Sequence, residues 1–131
     1  MAQSGNHYST FAIGDIQKLG RVTLHDALQL TGAEISINEF PAGAGTPFVH
    51  AHQQNEEVYL ILKGKGVCYL DGEEFPVAEG DVIRVDPAGA RCFRAAADAP
   101  LRYACIQTKA GSLVQFTQHD GRPAEGKPSW L

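Results

Sequence analysis

The chain has 131 residues, 44% of them hydrophobic, with a formal charge of −4 and a pI near 5.7. That is enough chain for one domain with a substantial core. The absence of any Lys/Arg run excludes a nucleic-acid or anionic-membrane surface as the principal partner.

Nothing in the sequence approaches the roughly 18 apolar residues of a membrane span. Met1–Thr10 is polar and lacks the apolar stretch of a signal peptide. Cys68, Cys92 and Cys105 are odd in number and form no CxxC, so a reduced, cytoplasmic setting is expected.

In chain order, residues 1–12 read as a polar arm. Ile13–Leu30 fits neither a long helix nor a clean strand and reads as a short strand or turn-rich cover. Ala33–Phe40 alternates apolar and polar residues as a strand does, with Ala33, Ile35 and Ile37 on one face. Pro41–Pro47 is a loop by composition. Val58–Leu62 reads as a strand ended by Lys63-Gly-Lys-Gly66. Val67–Leu70 follows and meets Asp71-Gly72, a strong hairpin signal. Further strands are expected at Glu73–Ala78, Asp81–Val85, Arg91–Ala95 and Leu101–Gln107, before a polar tail over 108–131. Short strands, frequent turns and no convincing helix indicate an all-β antiparallel sandwich or barrel.

One stretch carries chemistry. His50 and His52 lie two apart, so on a strand both rings project from one face. Glu57 follows five residues later at the start of an apolar run. Two imidazoles and a carboxylate on neighbouring strands form a ligand set for a divalent transition metal such as Fe, Mn, Ni or Zn. A polar pair satisfied by backbone, or an organic-ligand site, is the competing reading.

These residues also carry a resemblance. His50-Ala-His52, four residues, Glu57, six residues and Gly64 match the first motif of the cupin superfamily, G-x5-H-x-H-x(3,4)-E-x6-G. The leading glycine position is Ala44, flanked by Gly43 and Gly45. Gly80, Pro87 and Gly89 follow the second motif, G-x5-P-x-G-x2-H-x3-N, with one extra residue before the proline. The histidine position of that motif falls on Cys92 and the asparagine position on Ala96. The match covers about residues 33–107.

The resemblance implies a jelly roll (double-stranded β-helix barrel) of antiparallel strands with little or no helix, as a single cupin domain over 1–131. It maps metal ligands onto His50, His52 and Glu57, with Cys92 at the fourth-ligand position. A thiolate there is a competent ligand, and inert packing is the alternative. The motif distance to Gly64 selects Glu57 over Glu56, and a strand beginning one residue later would reverse that choice. If Cys92 faces inward, Arg94 shares its face, while Arg91 and Phe93 take the other. Arg94 then suits a carboxylate-bearing small molecule and Tyr59 can present its hydroxyl to one. A surface Arg94 and a wall-forming Tyr59 are the alternatives.

The implied activity is metal-dependent turnover of a small organic substrate, dioxygenase- or decarboxylase-like. A metal-independent isomerase or epimerase using a histidine base and a non-catalytic binding module are the rivals. A homodimer is expected from the resemblance and from the apolar Leu113–Phe116 and Trp130-Leu131 of the tail.

Overall fold

Residues 3–131 are described by a computed structural model. A short pair, β1 (Gln3–Ser4) and β2 (Ser9–Thr10), precedes α1 (Ile16–Leu19), β3 (Arg21–Thr23) and α2 (His25–Leu28). The ambiguous segment Ile13–Leu30 is therefore a three-residue strand between two one-turn helices. Asp15 caps α1 by accepting from Gln17 N, and Gly20 ends it at φ 75°. Neither helix is long or apolar enough to cross a membrane.

The remaining strands are β4 (Glu34–Phe40), β5 (Asn55–Leu70), β6 (Glu73–Ala78), β7 (Val82–Val85), β8 (Arg91–Ala95) and β9 (Leu101–Lys109). All pairings are antiparallel. One sheet runs β3-β4-β9-β5-β7 and the second runs β6-β5-β8, so β5 belongs to both. The two sheets face each other as a jelly roll.

The shared strand corrects one expectation. Lys63-Gly-Lys-Gly66 does not turn the chain back, and β5 passes through it without a break. A bulge lies between Ile61 and Lys63, where the pairing with β9 shifts register. One extra residue changes which parity faces inward. Before the bulge the buried residues are Glu57, Tyr59 and Ile61; after it they are Gly66 and Cys68. Gly64 sits at φ +79°, where a Cβ would lie 1.8 Å from the Pro100 carbonyl oxygen. Only glycine fits that crossing.

The Asp71-Gly72 hairpin forms as expected, with φ 50° and 89° and Leu70 opposite Glu73. The core is Tyr59, Phe93 and Tyr103, with ring centroids 4.5–5.7 Å apart, packed with Ile61, Cys68, Val77, Val85 and Leu101. It fills one end of the barrel and leaves the other hollow. Beyond β9 the chain is irregular and mostly exposed.

Candidate metal centre

The hollow end is a cavity of about 450 Å³. Its walls come from β4 (Glu34, Ser36, Asn38, Phe40), β5 (Glu57, Tyr59), β9 (Tyr103, Cys105, Gln107), Arg21 of β3 and the segment Thr46–His52. The polar side of β4 thus faces inward, with Ser36 and Asn38 only 4% and 3% exposed. Alternation alone shows that a strand has two faces. It does not say which is the inner one.

His50 lies outside the long ladders but pairs directly with Arg91. His50 N donates to Arg91 O at 3.1 Å, and Arg91 N donates to His50 O at 3.0 Å. Directly opposed residues share a face of the sheet. His52 N donates to the Pro87 carbonyl at 2.8 Å, which anchors the next turn of the segment. The two imidazole centroids are 5.2 Å apart at 81°. Glu57 reaches the pair from β5, with Oε2 at 3.3 Å from His52 Nε2 and Oε1 at 3.8 Å from His50 Nε2. Glu56 has the opposite parity and borders a separate depression beside the tail.

One ligand atom from each of His50, His52 and Glu57 lies within 4.8 Å of the other two. His52 Nε2 is buried without a hydrogen-bond partner, which is costly unless something binds there. A divalent ion fits this donor set, since neutral imidazoles and a carboxylate are its ordinary ligands. The carboxylate is already oriented to ligate, because Tyr59 Oη donates to Oε1 at 2.5 Å and the buried Arg91 approaches the same oxygen at 3.6 Å. Oε2 is the oxygen left for an ion. Outer partners of this kind fix a ligand's direction.

The electrostatics suit a charged carboxylate and a neutral His50 ring. Burial alone would raise the Glu57 carboxyl, but hydrogen bonds from Tyr59 and Cys105 and the charges of His52 and Arg91 outweigh it and hold it low. For His50, burial dominates and lowers the imidazole, against the pull of Glu57. Burial and Glu57 together push the Tyr59 phenol far up, so it stays a hydrogen donor.

Cys92 is elsewhere. Its Sγ meets Thr46 Oγ1 at 3.0 Å and borders an outer depression shared with Tyr69, Glu74 and Arg94. Pairing to β5 sets this parity, because Cys68 and Phe93 oppose each other with both side chains buried. Arg91, Phe93 and Ala95 therefore point inward, and Cys92 and Arg94 outward, the reverse of the expectation. Arg94 is exposed and does not line the cavity. The inward position beside Glu57 belongs to Arg91, which the motif count placed one residue away. The sequence reading put Arg91 on the outer face if Cys92 faced inward, and the polar set Arg21, Ser36, Asn38 and Gln107 escaped it.

The model of the cupin domain matches residues 36–107. The chain belongs to the cupin family. A crystal structure of a cupin protein from Bacteroides fragilis is 49% identical, with 92% of this cupin and all of that chain covered and a TM-score of 0.86. A predicted oxalate decarboxylase from Thermotoga maritima shares the fold at 24% identity, covering 57% of this cupin and 64% of its own chain, TM-score 0.54. A putative sugar phosphate isomerase from Acidithiobacillus ferrooxidans does so at 24% identity, covering 68% and 58%, TM-score 0.60. An uncharacterized protein of Methanocaldococcus jannaschii is 37% identical over 65 residues, and this cupin spans about half the length of that curated relative.

Proposed function

We propose that this cupin holds one divalent transition ion through His50, His52 and Glu57 and acts on a small organic molecule in the adjoining cavity. The observation that carries the reading is the buried, partnerless His52 Nε2 facing Glu57 Oε2 at 3.3 Å. With three protein ligands, such an ion keeps positions open for substrate and supplies Lewis-acid or redox chemistry of the decarboxylase or dioxygenase kind. Tyr59 and Arg91 hold Glu57 in place, while Phe40, Phe48 and Tyr103 keep the approach apolar.

Metal analysis of the untagged protein after reconstitution tests this. Near-stoichiometric uptake, lost in His52→Ala, is the expected result. Negligible uptake unchanged by that substitution would refute it.

The His52–Glu57 approach also favours a second reading, a metal-independent isomerase or epimerase in which the carboxylate orients a histidine base. Activity indifferent to chelator would select it. Ligand binding without turnover would leave a binding module.

We also propose a homodimer. Val114, Phe116 and Trp130 are more than four-fifths exposed, and an apolar surface of this kind is ordinarily covered. A monomeric mass by light scattering at micromolar concentration would refute it. A cytoplasmic home is the corresponding proposal for location, supported by three unpaired thiols.

A further inference from the structure

Arg21 stands on the short strand β3 and lines the same cavity as the histidine segment. Its Nη1 donates to Asn38 Oδ1 at 2.7 Å, and Asn38 Nδ2 donates in turn to Ser36 Oγ at 2.9 Å. Asn38 and Ser36 are buried, so the relay holds one edge of the guanidinium in a fixed place. Among the described residues Arg21 has no ion-pair partner. The acid nearest in sequence on the same wall, Glu34, is engaged elsewhere: its Oε1 accepts from Leu24 N and His25 N at 3.2 and 2.9 Å. A guanidinium has five donors, and one oriented by a neutral amide keeps its positive charge and most donors free. Phe40, Phe48 and Tyr103 line the same cavity as Arg21 and the histidines.

We propose that Arg21 is the anion anchor of this cavity, and that its ligand is a small organic acid. The carboxylate docks on the free edge of Arg21, and an apolar or aromatic body lies across Phe40, Phe48 and Tyr103 with its other end toward His50 and His52. This rests on the cavity being the ligand site, as proposed above, and names the substrate class. The anchoring role moves from Arg94, which faces the outer depression, to Arg21. Arginine suits it because its planar fork matches a carboxylate in a bidentate geometry. Because the relay fixes the fork before binding, little rotamer freedom is lost on docking.

The test titrates phenylacetate and its neutral analogue phenylacetamide into native, Arg21→Gln and Arg21→Lys protein, following amide shifts by NMR. Metal-free and zinc-loaded samples are run in parallel. In native protein the acid is expected to bind about ten- to a hundredfold more tightly than the amide, the range for a hydrogen bond to a charged group. Arg21→Gln is expected to bring the acid to the affinity of the amide and to leave the amide unchanged, while Arg21→Lys retains part of the preference. Arg21 is exposed and is none of the three proposed ligands. Both variants are therefore expected to stay folded and to take up zinc, which circular dichroism and metal analysis check.

Equal affinities for acid and amide in native protein would overturn the proposal. So would an Arg21→Gln protein that binds the acid as before, or no binding of the acid at millimolar concentration. Failure of the metal reading is separate, since it appears as absent zinc uptake while the Arg21-dependent preference persists in the metal-free titration.

Discussion

Arg91 Nη1 lies 3.6 Å from Glu57 Oε1, with the arginine side chain wholly buried and the glutamate side chain 5% exposed. Arg91 Nη2 donates to the Asp86 carbonyl at 2.9 Å, while Nε and Nη1 have no hydrogen-bond partner. A buried cation so sparsely bonded depends on the carboxylate beside it, and the carboxylate depends on the cation. Removing one member of such a pair costs about 3–5 kcal/mol. Arg91→Met is therefore expected to lower the urea midpoint sharply. Added zinc should recover more stability in this variant than in native protein, because the ion replaces the missing positive charge. Adding Glu57→Gln should make the double variant less unstable than the summed single effects. A native-like midpoint for Arg91→Met would show that the pair contributes nothing.

Tyr59 controls the same carboxylate oxygen. Tyr59→Phe removes the donor to Oε1 and is expected to weaken metal binding about 10–100-fold, as loss of an outer partner does. The pH dependence of the metal-free protein follows from the sign of the Glu57 shift. Its folded value lies below the ordinary 4.5, so its stabilising contribution is complete above 4.5 and declines as pH falls through the lower folded value. Without the phenol, burial is less opposed and the carboxyl rises. Acid unfolding of Tyr59→Phe, followed by circular dichroism, should begin at higher pH. An unchanged acid limb would mean the hydrogen bond does not stabilise the ionised form.

Much of this was legible in the residues. The bounds of β6 and β8 coincide with the reading from turn chemistry, and Asp71-Gly72 fixed its hairpin because both positions need φ > 0. The grouping of His50, His52 and Glu57 was legible because its spacing is local. The path through Lys63–Gly66 was not, because glycines that permit a turn equally permit a strand to bulge and cross between sheets. Nor was the orientation of β8. Its inward face is set by Cys68 opposing Phe93, a pairing between residues 25 positions apart that no local count reveals. The polar inner face of β4 was missed for a related reason. Burying Ser36 and Asn38 makes sense only once the barrel is known to be hollow at that end.

The crossing at Gly64 separates steric from conformational cost. A methyl group there meets the Pro100 carbonyl at 1.8 Å and also adopts φ +79°. At Gly72 the φ is similar, +89°, but nothing lies within 4 Å. Gly72→Ala should cost about 1–2 kcal/mol, the left-handed penalty alone. Gly64→Ala should exceed it by at least about 1–3 kcal/mol, since the strand must shift away from Pro100. Equal losses in chemical denaturation would mean that β5 can move away from Pro100 at this point without strain.

The thiols divide by environment. Burial is the main cause that pushes Cys68 up to about 11 and Cys105 up to about 12, with Cys92 and Glu57 respectively adding repulsion. Cys92 instead borders the outer depression beside Thr46. The thiolate is the reactive form. In native protein near neutral pH, a chromogenic disulfide reagent should therefore modify Cys92 alone, and Cys92→Ser should abolish the fast phase. The other two should react only on unfolding. Because their folded values lie above the ordinary 9.0, the neutral thiols contribute stability in full below that value. That contribution is lost as pH rises through about 11 to 12, so native labelling of Cys68 and Cys105 should appear together with alkaline unfolding. Modification of either one well below that range, with the fold intact, would show that the core opens around it.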